Sequence, residues 1–325
     1  MRRAMTSNSE STVATLDRIT KLEDAVRDFI NTGRHQADLL KSRETWNQIC
    51  SSLDVIGDTV LCIRDYATSP YPSSDGLKYI YTYGILQALF IQQDAARHLS
   101  EAFAVTHTPS PTLARIRDIR NAAIGHPTKQ HIKKSTHYNY ISRISLAKGG
   151  FTLLRSSPED DTQFVDVDMT AIVQEQLTDI EVALSSVAEK LRDADRLHRE
   201  KFGGNLISDI FHASTGYLFE KVGQGIHSST QGDRAFGLSM LESIEKMYLQ
   251  LQSALEDRRE LSEYTRYDLD EYKHAISALK DYLSGNPKEL GESDARIYLF
   301  YLREQHNKYV KIAEEVDDEY KGEEV

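Results

Sequence analysis

Arg115-Ile-Arg-Asp-Ile-Arg-Asn-Ala-Ala-Ile-Gly-His-Pro127 is the stretch on which the reading of this chain turns. Leu113, Ile116, Ile119 and Ala123 fall on one helical face, the three-to-four-residue recurrence of an amphipathic helix. Ser110 as N-cap with Pro111 at the first helical position opens that helix. Gly125 and Pro127 close it. Glycine suits a left-handed position just past a helix, and a residue before proline is pushed out of the α region, which places His126 beyond the last turn. A helix stop that carries a titratable ring, with Arg120 and Asn121 six and five positions before it, needs an explanation beyond helix termination.

The charge around the stretch is unlike that of the whole. The chain has 325 residues and a formal net charge of −11, which by itself argues against nucleic acid, since phosphate binding wants a basic surface. Residues 109–150, however, hold eight lysines and arginines (Arg115, Arg117, Arg120, Lys129, Lys133, Lys134, Arg143 and Lys148) against the single acid Asp118. Residues 256–325 hold 19 acids against 11 bases. A basic island in an acidic chain says more about partners than the total does.

Working outward, amphipathic helices are expected at about 11–31 and 42–67, and a nearly thirty-residue helix from Asp75 to about Phe103. The run from Tyr83 to Asp94 is apolar on most sides, so burial on both faces is expected. The first ten residues are polar and read as a disordered tail. After Pro127 the period changes to two: strands are expected from His137 to Leu146 and from Phe151 to Leu154 around Lys148-Gly-Gly150, with a further strand at Gln163–Val167. Asp168 caps a long helix to about Lys201, and Gly203-Gly204 is the expected domain boundary. Beyond it helices are expected at about 205–222, 233–261, 264–284 and 293–316, with Gly223-Gln-Gly225 as a joint and an acidic, frayed tail from Glu314.

Several function classes drop out. No run of 18 apolar residues exists, so no membrane-spanning helix is expected, and the basic start lacks the apolar core of a signal peptide. Cys50 and Cys62 lie twelve residues apart on one helix, too far for a zinc knuckle; they read as core fillers in a reducing, cytoplasmic setting. His126, His131 and His137 lack a carboxylate or cysteine at ligand spacing, so no metal site is expected. Gly223-Gln-Gly225 lacks the strand and lysine of a phosphate loop.

Arg120-Asn121, four residues, then His126 resembles the signature of the HEPN superfamily, an arginine followed after four to six residues by histidine, with a polar residue beside the arginine. The helical context agrees. The resemblance covers about residues 10–200 in architecture, and only Arg120, Asn121 and His126 in specific residues. It implies that residues 11–203 form an antiparallel helical bundle in a mainly α fold; the small β-hairpin at about 136–167 looks like an insertion, and the C-terminal all-helical domain that the period predicts over 204–325 has no counterpart in a minimal HEPN domain. It further implies a homodimer whose two motifs share a cleft, and a metal-independent, cofactor-free endoribonuclease, of the kind found as toxins or defence effectors. In such an enzyme a ribose 2′-hydroxyl attacks the adjacent phosphate. The C-terminal helices would then serve regulation or a protein partner.

The residue types suit that chemistry. Imidazole titrates near neutral pH, so His126 can take or give a proton. Guanidinium is permanently charged and its fork matches phosphate oxygens, so Arg120 can stabilise the developing charge. Asn121 can orient the histidine or hold a phosphate oxygen, and Arg117, Lys129, Lys133 and Lys134 are candidate contacts to the RNA backbone. On one continuous helix, however, Arg120 and His126 lie about 120° apart around the axis and about 9 Å along it. They converge only if the helix breaks or a second chain contributes. Two plainer readings stand beside this one: Arg120 as a structural arginine paired with an acid on a neighbouring helix, and His126 as a cap on the helix's last carbonyls. The alternative function is a non-catalytic helical dimer that binds RNA, nucleotide or protein.

Overall fold

The computed structural model describes residues 2–132, 135–158, 161–286 and 290–320. Lys133 and Lys134, two of the candidate RNA contacts, lie outside the described residues. Among those described, the chain is mainly helical, with ten α-helices and one four-stranded antiparallel sheet. It divides into two compact units, 1–193 and 194–325. No helix among the described residues is long and apolar enough to cross a membrane.

The first unit holds α1 (Arg2–Asn31), α2 (Gly33–Leu39), α3 (Arg43–Thr68), α4 (Asp75–Ala102), α5 (Pro111–Arg120), the sheet, and most of α6 (Met169–Phe202). Helix α1 begins at Arg2, so the segment expected to be a disordered tail is helical. The core is aliphatic: Leu16 and Ile19 of α1, Ile49, Leu53, Ile56 and Ile63 of α3, Leu86 and Leu89 of α4, and Leu177 and Ile180 of α6 are fully enclosed. Each such side chain contributes about 1.5–3 kcal/mol by leaving water. Beneath α4 the core is polar: Gln176 Nε2 donates to Leu89 O and Gln92 Oε1, both at 2.9 Å, and its Oε1 accepts from Gln93 Nε2 at 2.8 Å. From Ile85 to Asp94 no residue is exposed, as the expected burial on both faces requires; the exceptions in the run are Tyr83 and Gly84 at its start, and Leu77 and Ile80 just before it are exposed too. Leu77, Ile80 and Tyr83 thus form an exposed apolar strip on the first turns of α4.

The sheet is a meander in the order β1-β2-β3-β4, formed by Gln130–Ile132, Ser135–Ile141, Gly150–Ser156 and Gln163–Asp168. Strand β1 has too few residues for a readable period, so the sequence does not announce it. The expected strand to Leu146 ends at Ile141, and Arg143–Ser145 form a 3-10 turn instead. Gly150 is required where it stands: its φ is +158°, and a Cβ there would lie 2.0 Å from Val167 O. Of the two cysteines, Cys50 is half-buried but Cys62 is exposed, so it is not a core filler.

The division between units falls inside α6, about ten residues before Gly203-Gly204. The end of α6 belongs with the later helices: His198 packs on Tyr320, and Arg258 donates to the carbonyls of Phe202 and Asn205. The second unit comprises that end with α7 (Thr215–His227), α8 (Gln231–Arg258), α9 (Glu263–Leu283) and α10 (Glu292–Tyr320). Gly223 and Gly225 lie within α7 and are not a joint. A Cβ at Gly225 would sit 3.2 Å from Gly237 Cα, so the two glycines mark a close crossing of α7 and α8. The acidic tail is structured as far as Tyr320. Buried Asp317 accepts the backbone N–H groups of Ile207 and Ser208, each at 2.8 Å.

Candidate functional site

Helix α5 starts as its sequence predicts. The Ser110 hydroxyl accepts the Leu113 N–H at 3.4 Å, Pro111 occupies the first turn, and Ser110 also donates to Asp179 of α6. Its end is different. From Asn121 to Gly125 the helix widens into a π-turn, closed by the His126 N–H donating to Asn121 O at 2.7 Å. Single π-turns inside or at the end of α-helices are uncommon and concentrate at functional sites. His126 then leaves the helix at φ −139°, ψ 50°. Gly125 does not adopt the left-handed conformation expected of it; positive φ among the glycines is confined to Gly150 and Gly285 within the described residues.

What glycine supplies at 125 is space. A Cβ there would lie 2.9 Å from Arg120 Nη1 and 3.4 Å from Asn121 Oδ1. The Arg120 side chain therefore folds forward along the widened turn and rests on Gly125, the residue before His126. The π-turn removes the divergence that a continuous α-helix would impose between Arg120 and the helix end. The break in the helix lets Arg120 lie over Gly125, the residue before His126.

Arg120 is held in a specific way. Its Nε and Nη2 donate to Gln87 Oε1 at 3.1 and 2.8 Å, its Nη1 donates to Asn121 Oδ1 at 3.0 Å, and its Cζ lies 4.3 Å from the centre of the Phe90 ring. All these hydrogen-bond partners are neutral. Arg117, one turn earlier, meets the same ring at 4.1 Å but is paired with Asp94 at 3.0 Å. Pairing with an acid on a neighbouring helix thus describes Arg117 and not Arg120. Neutral amide oxygens fix the Arg120 fork without cancelling its charge, so the field of a half-buried cation is left for an anion.

The sheet braces the end of the motif. Asn139 of β2 donates its backbone N–H to Pro127 O at 2.7 Å, and its buried side chain donates to Gln130 Oε1 at 3.0 Å. Arg155 of β3 ties this to α5, donating to Asn139 Oδ1 and Asp118 Oδ2, each at 3.1 Å. Sequence reasoning missed both Gln87 and Arg155. Gln87 had a signal: it is a polar residue inside an apolar run, one turn from Tyr83 and next to the face that meets α5. Arg155 had none, because its partners are 16 and 37 positions away.

The basic island is smaller than its sequence suggests. Arg117 is neutralised by Asp94. Lys148 donates to Ala67 O and Ser69 O at 3.0 and 2.7 Å, capping the end of α3, and burial pushes its amine below the ordinary lysine range. Arg115, Lys129 and Arg143 remain exposed and, among the described residues, without an acidic partner. His126 is exposed, and its ring makes no hydrogen bond among the described residues. It does not cap the helix carbonyls. No cluster of three or more metal-ligating side chains occurs among the described residues.

Compared with known proteins, the chain matches no family model, no curated protein and no solved structure.

Proposed function

We propose that this chain is an endoribonuclease of the HEPN type, acting without a metal ion as a homodimer. The observation that carries the reading is Arg120: a guanidinium positioned by Gln87 and Asn121, left uncompensated, and laid over Gly125 beside an exposed histidine. In this reaction the ribose 2′-oxygen forms a bond to phosphorus while the bond to the 5′-oxygen breaks. One imidazole takes the 2′ proton, and another gives a proton to the leaving 5′-oxygen. Each protomer supplies a single His126, so a dimer supplies both the base and the acid. Arg120 stabilises the charge that builds on the phosphoryl oxygens.

Support for the dimer comes from α4. Leu77, Ile80 and Tyr83 form an exposed apolar strip that leads along the helix to Gln87, the residue holding Arg120. A second copy covering this strip would bring the two motifs to one place. The test is cleavage of a mixed RNA pool in EDTA by wild type, Arg120→Ala and His126→Ala. Products ending in a 2′,3′-cyclic phosphate and a 5′-hydroxyl, lost in both variants, are expected; cleavage that survives both substitutions sinks the proposal. Light scattering at micromolar concentration should give a dimer that Ile80→Asp converts to a monomer. The openness of His126 favours one other reading, a surface that holds RNA without cutting it. RNA binding with no cleavage by any form selects that reading.

A further inference from the structure

The four-stranded sheet buries one face and leaves the other to solvent, and the exposed face is not composed as a solvated face should be. Alternation along the strands places Asn139, Ile141, Phe151, Leu153, Val165 and Val167 inward, against the helical core. Outward lie Tyr138 and Tyr140 of β2, Thr152 and Leu154 of β3, and Phe164 and Asp166 of β4. Tyr140 pairs with Leu154, and Leu154 with Phe164, so one row crosses three strands with an aromatic ring at each end. Tyr140 is 57% exposed and Phe164 is 71% exposed. Two strand spacings put these rings about 10 Å apart, too far to stack on each other and suited to receiving separate flat groups.

The face adjoins the motif. Asn139, whose N–H holds Pro127 O, stands between Tyr138 and Tyr140 in β2, so the outward rings flank the position that fixes the residue after His126. Exposed Lys129 lies between His126 and β1, and exposed Arg143 comes just after β2 in the 3-10 turn. Aromatic rings bordered by cations without acidic partners are the surface that single-stranded nucleic acid uses: bases stack on rings and phosphates meet the cations. Asp166 and Asp168 are the acids on this face; Asp166 accepts from Thr152 Oγ1 at 2.8 Å, Asp168 accepts the Ala171 N–H at 3.0 Å, and the two mark an edge that a phosphate would avoid.

We propose that the outward face of this sheet is a stacking platform for single-stranded RNA, with Tyr140 and Phe164 holding bases and Lys129 holding the backbone where the strand passes to His126. The proposal rests on the ribonuclease reading for the choice of RNA, and it adds a binding surface outside the motif.

The test uses the full-length His126→Ala protein, so that no cleavage intervenes, and a fluorescein-labelled twelve-nucleotide single-stranded RNA followed by anisotropy. Tyr140→Ala and Phe164→Ala should each weaken binding roughly 5- to 150-fold, and Tyr140→Phe, which keeps the ring, should bind as the parent does. Lys129→Ala should lower the salt dependence by about one phosphate contact. Tyr140→Leu and Phe164→Leu keep apolar bulk and lose only the flat ring, so they decide the matter if an alanine variant folds poorly. Ring variants that bind RNA as tightly as the parent overturn the proposal, as does a parent that binds no RNA. Ring variants that become monomeric while the parent is a dimer also overturn it, assigning the face to contact between copies. Undiminished RNA binding by ring variants of a chain that cleaves RNA would remove the platform and leave the ribonuclease standing. Ring-dependent binding by a chain that never cleaves would do the reverse.

Discussion

Gly125→Ala separates the two reasons a glycine can stand at the end of this helix. If Gly125 were needed for a left-handed backbone, alanine would strain the fold; its φ is not positive, so that cost is missing. The added methyl meets Arg120 Nη1 at 2.9 Å, whereas ordinary contact begins at 3.4 Å, so the guanidinium must retreat by about 0.5 Å or more. That movement strains the Nη1 bond to Asn121, a loss of about 1 kcal/mol. Replacing glycine by alanine within a helix returns about 0.5–1 kcal/mol. The two nearly cancel, and the melting temperature should move by less than about 4 °C. Catalysis is less forgiving: a group misplaced by about 1 Å can cost about a hundredfold, so half that displacement should cost about tenfold in kcat/KM. The assay is RNA cleavage in parallel with thermal unfolding of wild type and variant. A large fall in melting temperature would refute the argument that glycine is there for Arg120, and wild-type cleavage at unchanged stability would refute the placement of Arg120 in the chemistry.

Gln87→Glu gives Arg120 the acidic partner that it lacks. Stability should hold or rise by up to about 1 kcal/mol, while RNA cleavage and affinity fall together; unchanged affinity would mean that the charge of Arg120 is not used. Gln176→Ala empties a fully buried site and strands Gln92 and Gln93, at a cost of about 3 kcal/mol in denaturant unfolding; a loss under about 1 kcal/mol would show that the glutamine network adds little. In the second unit, burial among Phe211, Phe219 and Tyr248 lowers the pKa of His306 from its ordinary 6.5. The unfolded chain then binds more protons, so stability is kept above pH 6.5 and falls as pH drops through the lowered folded value. His306→Phe should remove part of the loss in melting temperature between pH 7.5 and 5; an unchanged loss would place it elsewhere, with His107, which burial also lowers, as the next group to replace.

How much was legible in the sequence depends on the range of the forces involved. Ser110, Pro111 and Asp168 act on groups within three or four residues, and the helices they open begin where those residues stand. The helical period of α3 and α4 and the change to period two after Pro127 report on burial of one face, which local spacing encodes directly. Glycine was the least legible residue, because one residue type serves different needs. Gly225 permits two helices to approach, Gly125 makes room for a guanidinium, and neither breaks a helix by a left-handed turn. The position of the unit boundary was equally hidden: Gly203 ends α6, but His198 and Phe202 before it find their partners more than fifty residues away.

By itself the sequence determined that Arg120, Asn121 and His126 stand at the end of a helix, in a basic stretch of a mainly helical chain. Only the tertiary structure decided what those residues became. Arg117 and Arg120 have the same side chain and reach the same phenylalanine, yet Asp94 neutralises one and Gln87 leaves the other charged. That difference lies in which turn of one face of α4 each arginine reaches, Gln87 and Asp94 standing seven residues apart with Phe90 between them, a matter of helix packing and not of the residues beside each arginine. The opening helix stop is likewise a π-turn, in which Arg120 occupies the space that a side chain at position 125 would take.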